Sequence, residues 1–160
     1  MLHVRRAGPL DAAPMADLLN EVIAIGGTTA MTDPVTRADM LAWLDADPMS
    51  IWFVAEDEDG ALLGFQWVDR PDETQASVCY ISTFSRVGRT GLGIGSALFA
   101  ATRDAARAAG FRFIEAEIRA DNTGGLAYYQ SRGFEEAGRK TGVRLKDGTL
   151  VDKVIKRFEL

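Results

Sequence analysis

Three glycines at alternate positions, Gly91, Gly93 and Gly95, stand between a run of β-forming residues, Ser77 to Phe84, and an alanine-rich stretch, Ser96 to Ala109. A strand former on one side and a strong helix former on the other dictate a strand, a glycine turn and a helix in that order. In such a turn, successive backbone amides and the helix N-terminus can hold a phosphate, and glycine keeps side chains from coming between backbone and ligand. A close-packed flexible turn uses the same residues, so the segment alone supports both readings. The usual nucleotide fingerprints are absent. There is no Lys-Ser/Thr ending of a Walker loop, and the acidic ribose partner of a Rossmann fingerprint would need a different arrangement.

The remaining segments surround this unit with a mixed pattern. Leu2 to Arg5 reads as an edge strand, and Asp11 as the cap of a helix carrying Met15, Leu18, Leu19, Val22 and Ile23 at near-helical spacing. Gly26-Gly27-Thr28-Thr29 breaks it, and Thr36 with Asp39 opens a second helix that Asp47-Pro48 stops. Ile51 to Glu56 and Leu62 to Val68 form a hairpin around Asp57-Glu58-Asp59-Gly60. After the glycine turn and its helix come a strand from Phe111 to Ile118, a helix from Thr123 to Arg132, and two strands linked around Lys146-Asp147-Gly148. This order is mixed α/β and lacks the regular alternation of a doubly wound fold.

Composition narrows the function classes. A chain of 160 residues, 47% of them hydrophobic, is expected to form one domain over residues 1–160 around one core. A formal charge of -5 has the wrong sign for a nucleic-acid binder, while still allowing a local positive pocket. Cys79 is the only cysteine and His3 the only histidine, so neither a disulfide nor a Cys/His metal site is expected. With no signal-peptide core and no apolar run of about 20 residues, the expectation is a soluble cytoplasmic protein without membrane, metal or nucleic-acid partners.

Thr90 through Gly95, continued by Ser96-Ala97-Leu98-Phe99, resembles the acetyl-CoA pyrophosphate loop and following helix of the GNAT superfamily of N-acetyltransferases. Gly93 and Gly95 fall on the family pattern Arg/Gln-x-x-Gly-x-Gly/Ala, with Thr90 in the Arg/Gln position. Asn122 and the run Leu126 to Phe134 resemble a second family segment, Asn-x-x-Ala/Ser-x-x-Leu-Tyr-x-x-x-Gly-Phe, which puts Tyr129 at its tyrosine and Asn122 at its asparagine. Glu21-Val22-Ile23, Thr28 to Pro34 and the ending Arg157 to Leu160 are similar to the branch containing phosphinothricin and L-amino-acid N-acetyltransferases.

The resemblance implies a GNAT acyl-CoA N-acyltransferase fold: a mixed, splayed sheet flanked by helices, parted between strands ending near Phe84 and Ile118. It further implies acetyl-CoA as cosubstrate, contacted by Phe84, Ser85, Arg89, Thr90, Gly91, Leu92, Gly93, Ile94, Gly95, Ser96, Asn122 and Tyr129. The acceptor would be a small-molecule primary amine, an amino acid or analogue, attacking directly in a ternary complex, and the assembly a homodimer. A peptide or protein N-terminal acetyltransferase and an inactive coenzyme A-binding sensor are the alternatives.

Within that frame a backbone amide between Ile81 and Phe84 would polarise the thioester carbonyl. Tyr129, whose ordinary pKa is about 10, would return a proton to the leaving thiolate. A packing or substrate-contact role for Tyr129 stands beside this one, and its neighbour Tyr128 is expected to face elsewhere. Glu21, Glu115, Glu117 and Asp121 are candidates to attract or deprotonate the ammonium, Glu21 foremost, with a water chain as the alternative; Tyr80 stands where the amino-acid branch often has an acid. Arg86 and Arg89 flank the loop as candidate phosphate contacts. Cys79, in an apolar strand without a nearby histidine, reads as packing, and Trp43, Trp52 and Trp67 read as core or subunit-contact residues ahead of an acceptor-pocket lining.

Overall fold

The computed structural model describes residues 1–89 and 93–160. Strands β1 (His3–Arg6), β2 (Ile51–Glu56), β3 (Leu62–Asp69), β4 (Val78–Ser85), β5 (Phe113–Arg119), β6 (Glu135–Arg144) and β7 (Leu150–Glu159) form one sheet in the order β1-β2-β3-β4-β5-β7-β6. Neighbours run antiparallel except β4 and β5, which are parallel. The helices are α1 (Ala12–Ile25), α2 (Arg37–Ala46), α3 (Ile94–Ala108) and α4 (Thr123–Ser131). No described helix is long and apolar enough to cross a membrane.

Strand alternation sorts the apolar side chains into two layers. Trp52, Val54, Phe65 and Phe84 pack with Met15, Leu18 and Leu19 of α1 and Met40 of α2. Cys79, Ile81, Ile114, Ala116 and Ile118 point the other way, toward Phe99 and Ala106 of α3 and Tyr129 of α4. The tryptophans belong to the first layer: Trp52 stacks on Trp67 with ring centroids 4.2 Å apart, and Trp43 closes on Trp67 at 5.6 Å. Cys79 is wholly buried, and burial pushes its thiol up to about 12, so it packs as a small apolar residue without thiolate reactivity at neutral pH.

Element boundaries shift for local reasons. Helix α3 starts at Ile94 rather than Ser96, because Gly93 takes the N-cap with φ +74°, a left-handed conformation suited to glycine. β5 starts at Phe113 rather than Phe111, whose N–H is drawn back to Ala106 O at the helix exit. Asp11 occupies the N-cap of α1 but makes no cap hydrogen bond with its side chain. Its carboxylate instead accepts from both Arg5 Nη atoms, at 2.9 and 2.8 Å, and from Gly8 N at 2.8 Å.

This pairing carries a pH dependence. The hydrogen bond from Arg5 holds the Asp11 carboxyl below the ordinary carboxylate range, against the opposing effect of burial. A depressed carboxyl contributes stability that is full above its unfolded pKa, about 3.9, and is lost as pH falls through the folded value. Asp11→Ala is expected to lower stability by about 2 kcal/mol at pH 7, with a smaller difference from wild type below pH 3. Urea unfolding at both pH values checks this, and an equal deficit at both would exclude the ion pair as its source.

Candidate active site

β4 and β5 pair only where Val78, Cys79 and Tyr80 lie opposite Phe113, Ile114 and Glu115. Beyond that point β4 continues against β3 to Ser85 and β5 against β7 to Arg119, so the two strands part down the middle of the sheet. Ser77 O accepts from Arg112 N and Phe113 N on the β5 side, while Arg86 N donates to Leu63 O on the β3 side. By alternation, the Ile81 carbonyl and the backbone groups of Thr83 and Ser85 turn toward β5 beyond the last paired residues and face the gap.

A cavity of about 710 Å³ occupies this opening and draws its walls from both faces of the sheet. On the α3–α4 face lie Gly93 through Ser96, Asn122, Tyr128, Tyr129 and Arg132; on the α1–α2 face lie Thr28 through Met31, Glu117, Arg119 and Lys153. Gly93 leaves the first turn of α3 without a side-chain cap. A Cβ at Gly95 would stand 2.6 Å from Tyr128 Cε1, so only glycine admits that ring. Arg89 and Arg132 add positive charge; Arg132 reaches Ser96 Oγ through Nη1, while its buried Nε has no described hydrogen-bond partner. Free amides at a helix start beside an incompletely satisfied guanidinium fit a phosphorylated ligand.

The tyrosines are tied together beneath the opening. Tyr129 is 7% exposed, and its hydroxyl lies 2.8 Å from Thr83 Oγ1. Wholly buried Gln66 donates from Nε2 to Thr83 Oγ1 at 2.9 Å and to the Tyr128 hydroxyl at 3.2 Å, and Tyr128 donates to Gly95 O at 2.8 Å. Burial pushes the Tyr129 phenol well above its ordinary pKa, with the hydrogen bond to Thr83 acting in the opposite direction. It therefore stays protonated through the working pH range. Both tyrosines pack against one apolar layer, with ring centroids 4.9 Å apart, contrary to the expectation that Tyr128 faces elsewhere. Tyr128 edges that layer while its hydroxyl crosses to the glycine turn.

The turn between β5 and α4 holds the segment after α1. Asn122 caps α4 by accepting from Gly125 N at 2.9 Å and donates from Nδ2 to Thr28 O at 3.1 Å. Arg119 grips Asp121 with two donors, at 3.0 and 2.8 Å, and donates to Thr29 O at 3.3 Å. On the same wall Glu117 accepts from Lys153 and Lys140, each at 3.1 Å. Burial raises the Glu117 pKa, but the two lysines outweigh it and hold the carboxyl below its usual range.

Of the residues singled out in the sequence, Phe84, Ser85, Arg89, Gly93, Ile94, Gly95, Ser96, Asn122 and Tyr129 all line this cavity. Thr90, Gly91 and Leu92 lie outside the described residues. Glu21 is not on the cavity wall; its Oε1 accepts from Arg86 Nη1 at 2.8 Å. Arg86 in turn gives Nε to Leu62 O at 3.0 Å, so the pair binds the end of β4 to α1 and β3 instead of facing a ligand. Glu115 is held by Arg157, and Asp121 by Arg119. Among the four acids weighed, Glu117 is the one on the wall. Sequence reasoning missed Gln66, Thr83, Arg132 and Lys153; only Arg132, inside the Tyr129 to Phe134 motif, carried a local signal. Among the described residues no group of His, Cys, Asp and Glu could hold a metal ion.

A sheet parted at its one parallel pair, with an anion cradle on one face and a charged recess on the other, accommodates a long donor and a separate acceptor meeting in the gap. Acyl-coenzyme A-dependent N-acyltransferases have this architecture. Residues 18–134 match the acetyltransferase (GNAT) family, and the chain belongs to it: it has the mixed α/β GNAT fold and is an acetyltransferase that uses acetyl-CoA and an amine. An L-methionine sulfoximine/L-methionine sulfone acetyltransferase of Pseudomonas paraeruginosa is 30% identical over 165 residues, 98% of this chain and 94% of that one. The ribosomal-protein-alanine N-acetyltransferase of Brucella melitensis superposes with a TM-score of 0.90 at 25% identity, covering 99% of both chains. A GNAT phosphinothricin acetyltransferase of Sinorhizobium meliloti, solved in complex with acetyl-CoA, shares the fold with a TM-score of 0.90 at 24% identity, over 99% of this chain and 88% of that one.

Proposed function

We propose that the protein acetylates the primary amine of a small molecule, an amino acid or analogue, by direct attack in a ternary complex. The observation that carries this reading is the gap between β4 and β5, with unpaired backbone groups along one wall and the protonated Tyr129 hydroxyl on another. The α-amino-acid-like acceptors named for the Pseudomonas relative support the acceptor class.

When bound, acetyl-CoA supplies the activated acetyl thioester. Gly93 through Ser96, Arg89 and Arg132 hold its phosphates, and the Ile81, Thr83 and Ser85 edge of β4 offers backbone partners to its pantetheine arm. An N–H from that edge draws charge onto the thioester oxygen as the amine nitrogen bonds to the carbonyl carbon. The C–S bond breaks, Tyr129 gives its proton to the sulfur, and the extra proton lost by the nitrogen returns through water to the Tyr129 oxygen, which restores the phenol. Gln66 and Thr83 fix the direction of the Tyr129 hydroxyl.

The deciding experiment follows thiol release from acetyl-CoA with methionine sulfone, phosphinothricin, other amino acids, polyamines and short peptides, with product masses. Turnover confined to amino-acid-like amines is expected. Preference for peptides would move the acceptor to the N-terminal class, and acetyl-CoA binding without turnover on any acceptor would favour a sensor.

A further inference from the structure

The acceptor wall contains one carboxylate shared by two lysines. Glu117 Oε1 accepts from Lys153 and Oε2 from Lys140, so the three side chains carry a net charge of +1, and two of them, Glu117 and Lys153, border the cavity. β-Sheet register fixes the cluster: Glu117 lies opposite Ile155 and Arg119 opposite Lys153, while Lys140 pairs with Lys153 across the next strand. Alternation puts these side chains on the α1–α2 face, away from the phosphate cradle.

The neighbouring charges leave this excess in place. Arg119 is neutralised by Asp121 and spends its remaining described bond on Thr29 O. Glu115 is matched by Arg157. The Lys153 side chain is only 15% exposed, lines the cavity, and makes one described hydrogen bond, whereas an ammonium has three donors. Lys140 is 51% exposed and does not line the cavity. Lys153 is thus the cation on this wall with both charge and donors in reserve.

We infer that Lys153 and Glu117 form a recognition site for the zwitterion of a free α-amino acid, Lys153 taking the carboxylate and Glu117 the ammonium before it loses its proton. This rests on the acceptor class proposed above and narrows it: the free carboxylate becomes a required feature. The two protein charges stand 3.1 Å apart, a spacing suited to the amino and carboxylate groups that an α-amino acid carries on a single carbon. Each ligand charge meets its opposite, and Lys140 stays on Glu117. Simple amines and peptides lack a carboxylate at that position and leave the excess charge of Lys153 unanswered.

The test compares kcat/KM for methionine sulfone with that for its carboxamide, in wild type and in Lys153→Met, Lys153→Gln and Lys153→Arg. Comparing the acid-to-amide ratio between proteins cancels the different basicity of the two amines. The ratio is expected to fall about 30-fold in the neutral variants, the loss of one charge-assisted hydrogen bond, and to recover at least partly in Lys153→Arg. Thermal midpoints and acetyl-CoA affinity verify that the variants are folded. An unchanged ratio in folded neutral variants overturns the inference while leaving amine acetylation standing. Failure of wild type to acetylate either compound, or any other amine in the panel, overturns the underlying acceptor reading.

Discussion

Tyr129→Phe is expected to lower kcat about 100-fold, the lower end of what a positioned general acid contributes, with acetyl-CoA affinity within about twofold of wild type. The ring's contacts with Phe134 at 5.1 Å and Tyr128 at 4.9 Å are available to phenylalanine, so only the hydroxyl and its 2.8 Å link to Thr83 are lost. Stability should fall by about 1 kcal/mol, the worth of one neutral hydrogen bond. The pH profile separates catalysis from packing. Because burial raises the Tyr129 pKa, wild-type kcat should climb as the acceptor amine loses its proton and show no alkaline decline near the ordinary tyrosine pKa of about 10. Single-turnover kinetics and calorimetric titration with coenzyme A make the measurement. A variant retaining more than half of wild-type kcat would remove Tyr129 from the chemistry.

Gly95→Val should weaken acetyl-CoA binding at least 100-fold and lower stability by about 2 kcal/mol, within the range for overpacking. Even its Cβ would stand 2.6 Å from Tyr128 Cε1. Tyr128 cannot withdraw cheaply, because its hydroxyl is bonded to Gly95 O and to the buried amide of Gln66. Relief must therefore come from the first turn of α3, which carries the amides proposed to hold the phosphates of acetyl-CoA. Gly88→Ala is the matched control: its φ of +79° imposes backbone strain, but a Cβ there meets nothing within 4 Å. Calorimetry and thermal melts on both variants give the comparison. Equal losses of affinity would mean that strain near the turn, rather than the Tyr128 contact, governs binding.

Much of the fold is legible in local sequence because each element has its own signal. Thr36 and Asp39 form the reciprocal cap expected of them, with Asp39 N donating to Thr36 Oγ1 and Thr36 N to Asp39 Oδ2. Gly93 ends the turn and starts α3, and Asn122 and Tyr129 reach one cavity from the second motif. Local sequence does not determine the outcome where a side chain has a choice of distant partners. Asp11 has the composition of an N-cap, yet Arg5 of the neighbouring strand takes its carboxylate. Glu21 and Arg86, read separately as a base and a phosphate contact, satisfy each other.

The sequence by itself determined the order and kind of the elements, the glycine positions at the cradle and the tyrosine beneath it. These depend on periodicity, backbone freedom and residue type within a few neighbours. Tertiary structure alone decided where β4 and β5 part, which backbone groups face the gap, and that Gln66 and Thr83 brace Tyr129. It also put Glu117, of the four candidate acids, on the cavity wall and brought Lys153 beside it. The physical reason is register: residues 36 positions apart in sequence meet only when β5 and β7 pair, and a one-residue slip would turn their side chains to opposite faces.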